Sequence, residues 1–401
     1  MEHFGNFVIA LIMVCAVAGA AASIFKEDSP LGQQFVKGFN AIGSIFLSVA
    51  GVMASAPYLT VLVSRFFGPA FRMLGADSAM AATTFIAVDM GGYQLAEALA
   101  QTRESWIMAM MTGYMAGPTI VFCIPIALKI LKPEDRKYLA LGVMSGFISI
   151  PLGVLAASVI IAFSHPVIRE VVSTNAEATY QLALGFMEIL RNLTPLLLIC
   201  LLLALGLFLA PKQMTRGFQI FGKILDSVLR VVVVCSVVEY FTHFFSGLLG
   251  TWGFDPILAD AVDVNRALEV AGTIGMMLCG AFPMVYLIKT YLGKPLNALG
   301  RRVGLSEDAT AGILACCANV LALFTLIEDM EPQDKVRTLA FSVCGAFLLG
   351  DHLAFTANYQ PSLILPVIAG KFIAAAAAVW IANQLILGGM MTRASAREKE
   401  E

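Results

Sequence analysis

Charge is what this chain has least of. Only 13% of its 401 residues are Asp, Glu, Lys or Arg, about half the share a soluble protein uses to cover its surface. The deficit runs through nearly the whole length, so most of the surface is expected to face lipid. A formal net charge of -2 leaves no basic footprint and argues against a nucleic-acid partner. Histidine is scarce as well. His3, His165, His243 and His352 include no two at metal-ligand spacing, so a metal centre has no footing. There is no P-loop for ATP and no other cofactor signature. Eight cysteines, at 15, 123, 200, 235, 279, 316, 317 and 344, all lie in apolar runs without C-x-x-C spacing, and read as small buried hydrophobes. The N-terminal stretch MEHFGNFVIALIMVCAVAGAAASIF lacks the basic start of a cleaved signal and reads as a retained first helix.

Hydrophobic residues make up 59% of the chain. Apolar runs near 4–25, 39–64, 104–129, 137–163, 187–210, 226–249, 266–288, 336–350 and 362–388 each approach the length needed to span a bilayer. Two more segments, 78–100 and 306–328, are apolar but interrupted. Lys289, Lys294, Arg301 and Arg302 precede the second of these, and Lys335 and Arg337 follow it. Basic residues concentrate in cytoplasmic loops, so 306–328 is expected to enter and leave by the cytoplasmic face. The same count does not decide 78–100, because Arg65 and Arg72 trade against Lys26 and Lys37.

Self-similarity supplies the missing argument. The stretch 55–75 aligns with 281–300, matching Pro57 to Pro283, Pro69 to Pro295 and Leu74-Gly75 to Leu299-Gly300. Further on, Asp89 falls on Asn319 and Gly117 on Gly350. The expected fold is an all-α polytopic membrane protein of two inverted repeats, with about nine spanning helices and two broken or re-entrant hairpins. A first repeat, 1–163, would carry hairpin 78–100, and a second, 217–389, hairpin 306–328. A linking loop and helix would fill 164–216, and 390–401 would form a cytoplasmic tail. Inverted repeats with broken segments near the midplane are characteristic of secondary transporters.

The candidate site residues follow from these interruptions. Gly91 and Gly92 permit the backbone angles of a turn inside the membrane. Asp89 beside them is an intramembrane carboxylate, a functional-site hypothesis by default, with helix capping the plainer alternative. Asn319, at the matching place, would bind a hydroxyl or cap a helix. Thr83, Thr84 and Tyr93 flank Asp89, and core packing explains each of them as readily. In GDHLAFTANYQP, residues 350–361, Asp351, His352 and Asn358 would line a cavity or lie at a hydrated helix end, with Asp351 the better candidate. Glu269, near a helix start without a local partner, is a secondary candidate. Glu188 with Arg191, Asp226 with Arg230 and Glu239 with His243 read as intrahelical pairs.

The stretches VDMGG at 88–92, GPTIVF at 117–122, DRKYLALGV at 135–143, GFQIFGK at 217–223, RALEV at 266–270 and GDHLAF at 350–355 resemble the bacterial ethanolamine permease family. The likeness runs through nearly all the apolar segments and fades at the ends and in the 164–186 loop. One departure is clear: the second tip reads Asn319-Val320-Leu321-Ala322, where the family pattern is Asn-Asn-x-Pro. The resemblance implies uptake of ethanolamine across the bacterial inner membrane by a multi-pass transporter, feeding an ammonia-lyase in the cytoplasm. Such a ligand, an ammonium and a hydroxyl on two carbons, wants a carboxylate, a hydrogen-bonding partner and an aromatic face. Asp89 or Asp351 would take the ammonium, Asn319 or Asn358 the hydroxyl, and Tyr93 would offer a ring. A moving bundle against a static scaffold would make a homo-oligomer, dimer or trimer, natural in the surrounding lipid. The competing readings are a channel-like facilitator and, remotely, an intramembrane enzyme acting on a lipid headgroup.

Overall fold

A computed structural model describes residues 1–26, 28–261 and 263–389; the tail expected at 390–401 lies outside the described residues. Helices dominate. The exception among the described residues is a two-residue antiparallel ladder in the 164–186 loop, pairing Val167–Ile168 with Tyr180–Gln181.

Seven helical stretches among the described residues are long and apolar enough to cross a membrane. They are Glu2–Phe25, Pro30–Ala54, Arg103–Ile130, Pro133–Ser164, Phe186–Leu209, Ala267–Arg302 and Pro361–Leu387. Two of the nine runs expected from the sequence fall outside this set for a local reason. Pro211–Thr242 is long, but Lys212, Arg216, Lys223, Asp226 and Arg230 put charges along its first two-thirds. Helix Pro332–Gly345 stops, and Asp351–Tyr359 starts again after a break. Polar starts also hide true helix ends: Ser29 accepts from the Gly32 N–H and Pro30 opens a helix whose Gln33, Gln34 and Lys37 obscure it in a hydropathy reading.

Both interrupted segments fold back on themselves. Ser78–Phe85 and Gly92–Leu99 are the arms of the first. One carboxylate closes its base: Asp77 accepts from the Ala79 N–H through Oδ1 at 2.9 Å and from the Gln101 N–H through Oδ2 at 2.8 Å. Residues 77 and 101 therefore sit side by side, and the chain between them leaves and returns at one place. Glu307–Ala318 and Val320–Phe324 form the second. Asp334, just after it, accepts from the Ser306 N–H just before it at 3.3 Å and pairs with Arg337 at 3.0 Å.

The two bases lie at opposite ends of the molecule. Helix Arg136–Ser164 has 29 residues, roughly 40 Å at 1.5 Å per residue. At its start, Asp135 pairs with Lys335 at 2.7 Å, and Lys132 pairs with Glu328, so the second base is there. Past its far end, the 164–186 loop leads to helix Phe186–Leu209, whose Asn192 accepts from the Asp77 N–H at 2.8 Å. The first base is at that end.

Close glycine contacts join early helices to late ones. Gly280, on Ala267–Arg302, lies against the Ile12 backbone of the first helix, and Gly51, on Pro30–Ala54, lies against Leu229 of Pro211–Thr242. The two long helices also touch directly at Gly38 and Cys279, while Gly153 and Gly370 bring Arg136–Ser164 against Ile364–Leu387. Small residues let membrane helices approach this closely, which is where their packing energy comes from.

Candidate functional site

The tip of each hairpin rests on a break in the helix that follows it. In the first, residues 86–91 leave α-helical geometry, with a 3-10 turn at Val88–Met90, and Gly91 takes φ +93°, with Gly92 opening the second arm. A Cβ at Gly117 would sit 2.6 Å from the Ile86 carbonyl oxygen, so the tip lies against the interruption at 116–118. Pro118 causes part of that interruption. It has no N–H, so the Tyr114 carbonyl four residues back loses its intrahelical donor. Lys371 supplies the replacement: its ammonium, wholly buried, donates to the Tyr114 oxygen at 2.9 Å.

The break at 346–350 is held through the main chain. Phe347 and Leu349 N–H groups donate to the Cys316 and Cys317 carbonyls at 3.1 and 2.8 Å. Gly350 passes so near the Ala318 carbonyl that no Cβ fits. The helix resumes at Asp351, its N-terminus beside the first tip. Asp89 Oδ1 lies 3.8 Å from His352 Nε2, and Asp351 is the residue before His352, in the first turn of the same helix. The first turn of that helix and two carboxyl groups thus share one largely buried locality. His352 is 1% exposed and the Asp89 side chain 15%.

Aromatic residues wall this region. Tyr93 is fully buried, stacked on Trp106 at 4.7 Å and edge-on to Phe355 at 5.4 Å. Its hydroxyl accepts from the Gln360 side chain at 2.8 Å, which ties the first hairpin to the end of helix Asp351–Tyr359. Tyr114 donates to Thr356 Oγ1 at 2.6 Å, and Thr356 donates on to the His352 carbonyl at 2.7 Å.

The structure brings Asp89, Asp351, Gly91 and Gly92 to one locality, and Asn319 adjoins Gly350 through Ala318. Asn319 acts as a cap, its Oδ1 accepting from the Leu321 N–H at 2.9 Å. Asn358 faces elsewhere: its Nδ2 donates to the Thr273 and Ala354 carbonyls at 3.0 and 2.9 Å. Glu269 lies in the first turn of Ala267–Arg302, with Oε2 buried and lacking a hydrogen bond. Thr83 and Thr84 back-bond to carbonyls of their own helix. Of the three charge pairs read as intrahelical, Asp226–Arg230 closes at 3.0 Å and Glu239–His243 at 3.9 Å.

A family model described as "Ethanolamine utilisation protein, EutH" matches residues 4–385. The chain belongs to the EutH family. A probable ethanolamine permease EutH of Listeria monocytogenes is 37% identical over 95% of this chain and 95% of its own. One of Salmonella typhimurium is 39% identical over 90% of this chain and 87% of its own. A Bacillus subtilis protein, named only as the uncharacterized YxeR, is 32% identical over 93% and 94%. No solved structure matches. The EutH relatives are named as permeases, and the family is not one of enzymes. With seven apolar helices of spanning length, this EutH-family chain is a membrane protein.

Sequence reasoning passed over Lys371, yet the signal was present. It is the one lysine in the apolar run ILPVIAGKFIAAAAAVW, and an intramembrane charge is a functional flag whichever sign it carries. Asp77 and Asp334 were missed for a different reason. They stand, buried, at the ends of the interrupted segments, where a carboxylate attracts no notice until its partner in the chain is known.

Proposed function

We propose that this protein carries ethanolamine across the bacterial inner membrane by alternating access, around a site between Asp89 and the helix break at 346–351. One observation supports the reading above others: two hairpins, opening at opposite ends of the molecule, reach the same buried patch of charge. Their placement, the glycine contacts between early and late helices and the weak internal repeat favour two inverted halves, each with a re-entrant hairpin. Irregular backbone at that depth is tolerated where it is buried in protein or lines a cavity.

Asp89 takes the ammonium. A carboxylate is the natural counterion for a small protonated amine, and among the described residues no cationic side chain comes within hydrogen-bonding distance of Asp89, His352 Nε2 lying at 3.8 Å. Asp351 adds a second carboxyl group at the same place. Nearly closed to both faces, the pair receives a ligand only when a hairpin or a helix break shifts, and this favours a carrier over an open pore.

The test is uptake of labelled ethanolamine into proteoliposomes, with and without imposed Na⁺ or H⁺ gradients. Asp89→Asn should abolish saturable uptake while the protein still inserts. Truncating one partner of a buried charge pair costs roughly 2–5 kcal/mol, a rise in half-saturating concentration of about thirtyfold or more. Retained uptake with normal affinity removes Asp89 from the site. Trans-stimulation by internal ethanolamine marks a carrier, and its absence during saturable uptake marks a facilitating pore.

A further inference from the structure

His352 is the one imidazole wholly enclosed by this fold. Its ring lies between those of Tyr114, 5.0 Å away, and Phe347, 5.4 Å away. Neither ring nitrogen has a hydrogen-bond partner. A buried polar group left unpaired is uncommon, and each case calls for an explanation. The neighbouring hydroxyls give none, because Tyr114 and Thr356 are bonded to one another and to the His352 backbone carbonyl. Asp89 Oδ1, at 3.8 Å from Nε2, is beyond a hydrogen bond.

From this unsatisfied ring edge beside the Asp89 carboxylate, we infer that His352 reads the hydroxyl of the ligand, and so makes the site selective for 2-amino alcohols over simple amines. The inference rests on the proposed function for the identity of the ligand and adds to it the group that sets specificity. A neutral imidazole offers one donor and one acceptor, and a hydroxyl answers either. Two carbons separate the ammonium from the hydroxyl in ethanolamine, so a ligand whose ammonium is on Asp89 presents its oxygen one short step away, where Nε2 lies. The two asparagines that the sequence offered for this task are turned to backbone: Asn319 caps a helix and Asn358 bridges two carbonyls.

Ethylamine carries the same ammonium and the same two carbons but no hydroxyl. Bound in this site, it leaves His352 as unpaired as before. Sites that hydrogen-bond a substrate hydroxyl reject the analogue lacking it strongly, by about a hundredfold at least. The measurement is displacement of labelled ethanolamine from purified full-length protein in lipid nanodiscs by unlabelled ethanolamine or ethylamine. The wild type should prefer ethanolamine by about a hundredfold or more. In His352→Phe, which keeps a ring between Tyr114 and Phe347, the preference should collapse to within about threefold, through weaker ethanolamine binding and unchanged ethylamine binding. His352→Gln, with an amide near the place of Nε2, should restore part of the preference, which a purely structural role for the ring would not produce.

A wild-type ratio near one overturns the inference, and this arm does not depend on any variant folding. So does a His352→Phe ratio equal to that of the wild type. Failure of transport is read separately: no saturable uptake into proteoliposomes defeats the proposed function, while the binding ratio still decides the role of His352.

Discussion

At the scale of single residues, this protein places charges where they answer a defect in the backbone. Asp77 holds two N–H groups that would otherwise be stranded at a hairpin base. Asp77→Ala should lower stability by about 3 kcal/mol, because two donors to a charged acceptor are orphaned at once. Asp77→Asn, which keeps one acceptor oxygen, should fall between; thermal unfolding in detergent gives the order, and equal midpoints for all three would contradict it. Lys371 answers the carbonyl left open by Pro118. Its contribution is testable by a double-mutant cycle. In a Pro118→Ala background the helix has its own N–H for Tyr114, so Lys371→Met should cost about 1 kcal/mol less than in the wild type. Additive effects would mean that the lysine is there for another purpose.

Elements carry the next level of meaning, and here glycine decides. Gly117 and Gly350 stand where a helix break meets a hairpin tip, and the atoms a Cβ would strike there are backbone that cannot swing aside. Gly117→Ala and Gly350→Ala should each cost on the order of 1–3 kcal/mol through overpacking and depress uptake strongly. Gly43→Ala, with open space around it, should be neutral or stabilising by about 0.5–1 kcal/mol, as for any exposed helical glycine. Equal losses at all three positions would show that the tips need no close seat. The hairpins themselves were legible in the sequence, because Gly91-Gly92 and the basic flanks of 306–328 are local signals. Helix starts at Pro30 and Pro211 were not: they open with polar residues, and a hydropathy reading sees composition, while Ser29 and Pro30 act through capping geometry. Tyr93 was legible as a neighbour of Asp89, but its hydroxyl answers Gln360, a residue 267 positions away, and no local pattern carries that.

For the molecule as a whole, the arrangement that matters is one hairpin entering from each end. In a background with the eight native cysteines replaced, single cysteines at Leu74 and Gln101 should react with an impermeant reagent from one face of an oriented vesicle. Single cysteines at Val303 and Glu331 should react from the other face. Labelling of all four from the same face would remove the inverted arrangement and the alternating-access reading with it. For the inverted arrangement the sequence offers only a faint internal repeat with few matched residues, because contacts between backbones and small side chains, such as Gly280 against Ile12, leave little trace in composition.

The two helix breaks are not held in the same way. The one at 346–350 is stitched to its hairpin through main-chain atoms, which side-chain substitution leaves in place. The one at 116–118 is held by side chains, the Lys371 ammonium on the Tyr114 carbonyl and the Thr119 hydroxyl on the Met115 carbonyl at 3.1 Å. Sequence drift can therefore loosen one break by changing a single codon, while the other resists it, so relatives whose breaks differ in firmness should differ first around Pro118, Thr119 and Lys371.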